Sequence, residues 1–130
     1  MRIVAGLVVT LAFPLGALLA PASARAAGIE SRLAALAGYW RGQVECAGSR
    51  SWLAIEFVPA DSGRMTARMT LPAIRGYDFP IGPARLARDS VFAGPFVFAW
   101  DERADRLTGV LPRALVPVHE IPVDLRRGAP

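Results

Sequence analysis

Lysine is missing from this sequence: all fifteen basic residues are arginine, set against eleven acids. A bias that complete points to overall composition rather than to a built basic patch, so the formal net charge of +4 says little about partners. The arginines are scattered singly, with no basic face interleaved with aromatics, and nucleic acid is set aside as a partner on that ground. Cysteine occurs once, at Cys46, which excludes an internal disulfide. Histidine also occurs once, at His119. A reactive cysteine needs a nearby base, a triad needs an oriented imidazole, and a zinc site needs several ligands together. The flanked serine of an α/β-hydrolase, Gly-x-Ser-x-Gly, is absent. No catalytic, cofactor-binding or metal-ligating residue is assigned, and the chain is read as non-enzymatic with no cofactor.

The polar residues that remain have plainer readings. Glu120 follows His119 directly, and neighbours along a strand point to opposite faces, so it does not orient that ring. Asp101, Glu102 and Asp105 are interleaved with Arg103 and Arg106 without the ligand spacing of a calcium loop, and read as a solvated turn.

A long apolar run occurs only at the start. Arg2 precedes the uncharged stretch Ile3 to Ala20, and Pro21-Ala22-Ser23-Ala24 and Ala24-Arg25-Ala26 offer small-residue cleavage sites. The run is just long enough to span a bilayer, but Pro14, Gly16 and the small-residue sites favour cleavage over anchoring. Residues 1–26 are therefore read as a signal peptide, and the protein as periplasmic or extracellular without a stable membrane anchor. Losing Arg2 and Arg25, and no acid, brings the net charge from +4 down to +2.

Residues 27–37 are expected to form a short lead-in helix, with Ile29, Leu33 and Leu36 on one face and Gly38 at its end. The period then changes to two. Trp40, Gly42, Val44 and Cys46 alternate with Arg41, Gln43 and Glu45. A large aromatic between Gly38 and Gly42 fits a strand passing close to neighbouring backbone. Cys46 on that apolar face reads as a buried, inert thiol, the alternative being an intermolecular bridge or a reactive thiol. Trp52 to Val58 follows, and then the clearest alternation: Met65, Ala67, Met69 and Leu71 against Arg64, Thr66, Arg68 and Thr70. Pro72 to Pro83, rich in proline and glycine, reads as a connection that leaves Arg75, Tyr77 and Phe79 on the surface. Ala84 to Arg88, a Val91 to Trp100 strand bulged or broken near Gly94-Pro95, Leu107 to Leu111 and His119 to Arg126 complete about seven strands. The predicted fold is an all-β antiparallel meander of short strands over residues 38–127, forming a small barrel or a strongly curled sheet, with 128–130 as a tail.

Gly38-x-Trp40 opening the first strand after a short helix, with Arg126 ending the last, resembles the lipocalin-like (calycin) barrel pattern. That resemblance implies that Arg126 lies across Trp40 and closes the barrel. The order of Trp40-Arg41-Gly42, Leu71-Pro72, Gly76 to Ile81, Leu107-Thr108-Gly109 and Ile121 to Arg126 resembles the β module that precedes secreted α/β-hydrolases and related serine hydrolases. In those proteins a catalytic domain follows, whereas this sequence reaches Pro130 directly after the module. The implied function is an exported, non-catalytic module accessory to, or detached from, a serine hydrolase, contacting it through Arg75, Tyr77 and Phe79. The alternative is a small periplasmic carrier of an apolar ligand, or an inhibitor with the same barrel. A filled interior is expected under the first reading and a cavity with one or two polar groups under the second.

Overall fold

The computed structural model describes residues 22–46, 48–116 and 120–128. His119 and the apolar run Ile3 to Ala20 lie outside the described residues. One helix, α1 (Ala22–Ala34), leads into eight strands: β1 (Gly38–Cys46), β2 (Ser49–Pro59), β3 (Met65–Leu71), β4 (Gly76–Ala87), β5 (Ser90–Ala93), β6 (Phe96–Asp101), β7 (Arg106–Val110) and β8 (Pro122–Gly128). Each strand pairs antiparallel with the next and β8 returns to β1, so the sheet is a closed barrel in sequence order. No helix among the described residues is long and apolar enough to cross a membrane.

The period-two pattern sends alternate side chains inward. In β3, Met65, Ala67, Met69 and Leu71 are buried while Thr66 is exposed, as the alternation predicts. Trp40, Phe57, Phe96, Phe98, Leu107 and Leu125 are fully buried and fill the interior. Phe96 and Phe98 stack with centroids 5.3 Å apart. An eight-strand barrel has room inside for side chains or one small ligand, and here large apolar side chains occupy it.

The expected strand count needs one correction: among the described residues there are eight strands rather than about seven. The bulge or break expected near Gly94-Pro95 is a full reversal, and Val91 to Trp100 forms the hairpin β5–β6. Gly94 has φ +55 and lies so close to β4 that a Cβ would stand 2.0 Å from the Ile81 carbonyl oxygen. Only glycine fits that turn. The stretch Pro72 to Pro83 is likewise not a free connection. Pro72–Ile74 forms a single 3₁₀ turn and β4 then begins at Gly76, pairing with β3 through two register shifts. Its outer half buries neither face, so no period of two marks it as a strand.

Helix α1 starts earlier and ends sooner than the sequence suggests. Leu33 and Leu36 enter the core, but Ile29 is exposed, so only the last turn docks on the barrel. The backbone tightens there, Leu36 N–H donating to Leu33 O at 3.0 Å and Ala37 N–H to Ala34 O at 3.1 Å.

Gly42 sets the spacing between the first and last strands. A Cβ at this position would lie 2.0 Å from the Asp124 carbonyl oxygen of β8, a clash with backbone that no side-chain motion relieves. Gly42→Ala is expected to lower stability by about 1–3 kcal/mol. Gly28→Ala, on an open helix face with nothing within 4 Å, is expected to raise it by up to about 1 kcal/mol. Urea unfolding of the two variants checks the contrast, and equal effects would contradict the close approach of β1 to β8.

Candidate functional site

The closing contact forms where β8 meets β1. Trp40, with no exposed surface, donates its indole N–H to the Leu36 carbonyl at 2.9 Å. The guanidinium lying over its ring belongs to Arg127, 4.3 Å from the ring centroid. Arg127 Nη1 donates to Ala37 O at 2.9 Å and Nη2 to Ala35 O at 2.7 Å. Three successive carbonyls at the end of the helix thus receive donors from Trp40 and Arg127. Such carbonyls have no intrahelical partner, and they carry the negative end of the helix dipole. A cation there satisfies both demands.

The closing arginine is therefore Arg127 and not Arg126, as the resemblance implies. Val123 and Leu125 point inward, and the same face of β8 continues at Arg127. Arg126 shares the outward face of Asp124 and stands 3.7 Å from its carboxylate with its side chain mostly exposed. Gly38 opens β1 beneath the closing arginine, where a Cβ would approach Arg127 Nη1 to 3.3 Å.

The acidic turn between β6 and β7 has more to do than the sequence indicates. Asp101 accepts the backbone N–H groups of Arg103 and Ala104 at 3.1 and 3.2 Å, which shapes the turn. Asp105 lies 3.4 Å from Arg127, and Glu102 pairs with Arg32 of α1. Arg32 also bonds Asp89 at 3.2 Å and lies over the Trp100 ring at 5.9 Å. The helix end, the β6–β7 turn and β8 are tied together by these two arginines. Alternation alone places none of these long-range partners. Nearby, Arg106 donates to both oxygens of Asp124 at 2.9 and 2.8 Å and holds that carboxyl below its ordinary range.

Cys46 points inward and is buried, and burial pushes its thiol up, away from the reactive thiolate. Among the described residues no group of three or more His, Cys, Asp or Glu gathers into a metal-sized cluster. The Trp100 indole N–H is buried without a hydrogen-bond partner among them.

The surface candidates Arg75, Tyr77 and Phe79 come together at the end of the β3–β4 hairpin, joined by Ile74, which the sequence reading did not single out. Ile74, Tyr77 and Phe79 are 39%, 65% and 53% exposed. Arg75 is exposed in the left-handed conformation, φ +55, and ends the 3₁₀ turn. Asp78, also at positive φ, is held by Arg68: Nε to Oδ1 at 2.6 Å and Nη2 to the Asp78 carbonyl at 2.6 Å. The patch therefore carries apolar surface with one uncompensated positive charge. A solvent-open recess of about 610 Å³ lies beside the same strand pair, lined by Asp61, Arg64, Thr66, Arg68, Pro80 and Pro83 among others.

Comparison with protein-family models, with curated proteins and with solved structures finds no match to the chain.

Arg127→Ala is expected to lower stability by about 2–4 kcal/mol, through two charge-assisted hydrogen bonds and the lost stacking on Trp40. Arg126→Ala removes only an exposed pair and is expected to cost less than about 1 kcal/mol. Chemical denaturation of the two variants at one pH checks the order, and the reverse order would contradict the assignment of the closing arginine.

Proposed function

We propose that this chain is an exported, non-catalytic β-barrel module that serves a secreted serine hydrolase through protein contact, as its accessory or as its detached front domain. The observation that carries the reading is where the apolar surface lies. The interior is filled by side chains such as Trp40, Phe57, Phe96 and Phe98, while Ile74, Tyr77 and Phe79 stand exposed on one hairpin. Large exposed aromatics beside an arginine have the composition of a contact surface, where Tyr and Arg commonly carry the binding energy. Export rests on the apolar run and small-residue sites within residues 1–26, and the link to hydrolases on the ordered motifs from Trp40 to Arg126.

A second reading, a carrier of a small apolar ligand, is favoured by one feature. The unpartnered Trp100 N–H is the kind of single polar group that orients a ligand inside an apolar site. The large side chains around it support the first reading instead.

The purified protein is expected not to hydrolyse esters, amides or β-lactams, and to bind a secreted serine hydrolase domain. Tyr77→Ala with Phe79→Ala is expected to weaken that binding at least tenfold in calorimetry, as loss of aromatic anchors does. Turnover that survives Cys46→Ala and His119→Ala would contradict the non-catalytic reading. Saturable fatty-acid binding indifferent to the Tyr77 and Phe79 changes would replace it with the carrier.

A further inference from the structure

The outer face where β7, β8, β1 and β2 run side by side gathers arginines that stand far apart in the sequence. Arg41 of β1 lies directly opposite Arg126 of β8, and Arg126 lies opposite Arg106 of β7. Like charges directly opposite each other on neighbouring strands destabilise a sheet. One carboxylate, Asp124, serves this row. Arg106 donates to both of its oxygens, and Arg126 stands 3.7 Å from it. Arg41 makes no ion pair among the described residues.

An aromatic ring holds Arg41 instead. Its guanidinium carbon lies 4.6 Å from the ring centroid of Trp52 on β2. Attraction to a ring face positions a guanidinium without using its N–H donors, so less freedom is lost when those donors grip an oxyanion. The register sets Trp52 opposite Gln43, with Arg41 on one side of this pair along the strands and Arg50 on the other. Arg50 is exposed and likewise makes no ion pair among the described residues; Glu45, opposite it in the register, does not bridge to it. A solvent-open recess of about 390 Å³ lies here, lined by Arg41, Gln43, Arg50 and Trp52 with Gly42 and Ser51, and no acid stands on its wall.

We infer that this recess binds a phosphate monoester, gripped by Arg41 on its tryptophan support, with Arg50 closing over it and Gln43 as a neutral donor. Two guanidiniums with no acid between them match a group that carries close to two negative charges and three strong acceptor oxygens. A carboxylate offers one charge and two oxygens. Arg126, beside Arg41, adds to the attraction. The recess shares no residue with the β3–β4 hairpin, so it stands independently of the proposed protein contact. The same group occurs on soluble esters and on the lipid phosphatidic acid, and the two sources give different results below.

Inorganic phosphate and glycerol phosphate are titrated into the full chain in phosphate-free buffer at low salt, where exposed charges are least screened. Amide chemical shifts should move at residues 41–43 and 50–52 and saturate with a Kd of about 1 mM or tighter. Arg41→Gln and Arg50→Gln should each weaken binding at least tenfold. Arg41→Lys should recover little of the loss, because an ammonium lacks the planar fork. Trp52→Leu should weaken binding with every charge in place. Arg85→Gln removes another ring-stacked arginine, over Phe92 on β4–β5, and should change nothing. Saturation by glycerol phosphate identifies a soluble ester. Co-sedimentation with phosphatidic acid vesicles that Arg41→Gln abolishes, without saturation by glycerol phosphate, identifies the headgroup. The shifts of the unaltered protein keep the test decisive if a variant fails to fold. Unmoved shifts at 41–43 and 50–52 together with no vesicle binding, or equal losses from Arg85→Gln and Arg41→Gln, would overturn the inference.

Discussion

The Arg127 guanidinium over the Trp40 ring is the contact on which the rest of the molecule depends. A meander of short strands has two free edges until its last strand finds its first, and among the described residues β8 meets β1 through three partnered positions, Tyr39 to Arg41. So short a ladder needs help from side chains. Arg127 supplies it by covering the ring, donating to the helix-end carbonyls of Ala35 and Ala37, and reaching Asp105 from the β6–β7 turn. One side chain thereby holds the helix, the first strand and a distant turn in register with the last strand. The close passage of β1 over β8 at Gly42 belongs to the same closure.

Closure has a consequence for function. Under the proposed reading, with the inward face filled by Trp40, Phe57, Phe96 and Phe98, the contact surface lies on the outside. Most of that outside is polar or paired: Arg106 with Asp124, Arg68 with Asp78, Arg32 with Glu102. The β3–β4 hairpin departs from this pattern, placing Ile74 and two aromatics in solvent beside an arginine. Large apolar side chains grouped this way on a small domain are the usual mark of a surface made for contact. In the same hairpin, the Gly76 to Pro83 part of β4 pairs with β3 and with no second strand among the described residues.

Much of the barrel was legible in the sequence because burial on one face writes a period of two. β1, β2 and β3 follow directly from it, as does the inward Cys46. The pattern failed where burial does not alternate. The outer half of β4 buries neither side, so its prolines and glycines read as a connection. Phe92, Phe96, Phe98 and Trp100 are close enough in type to hide the reversal at Gly94 and with it the eighth strand. Arg127 was legible by continuing the face of Val123 and Leu125, but the resemblance to the lipocalin-like pattern pointed one residue earlier. The partners of Arg32, Asp89 and Glu102, come from strand-turn geometry far along the chain, and no local spacing encodes them. Of the candidate surface, Arg75, Tyr77 and Phe79 were visible as unperiodic aromatic sequence, and Ile74 joined them only once the 3₁₀ turn set its direction.

The central claim, that barrel closure runs through the Trp40–Arg127 contact, is most directly tested by a double-mutant cycle in chemical denaturation with Trp40→Leu and Arg127→Ala. A direct contact predicts a coupling free energy of about 1 kcal/mol or more between the two sites. Additive losses, with coupling under about 0.3 kcal/mol, would mean that the ring and the guanidinium stabilise the protein separately and would contradict the account.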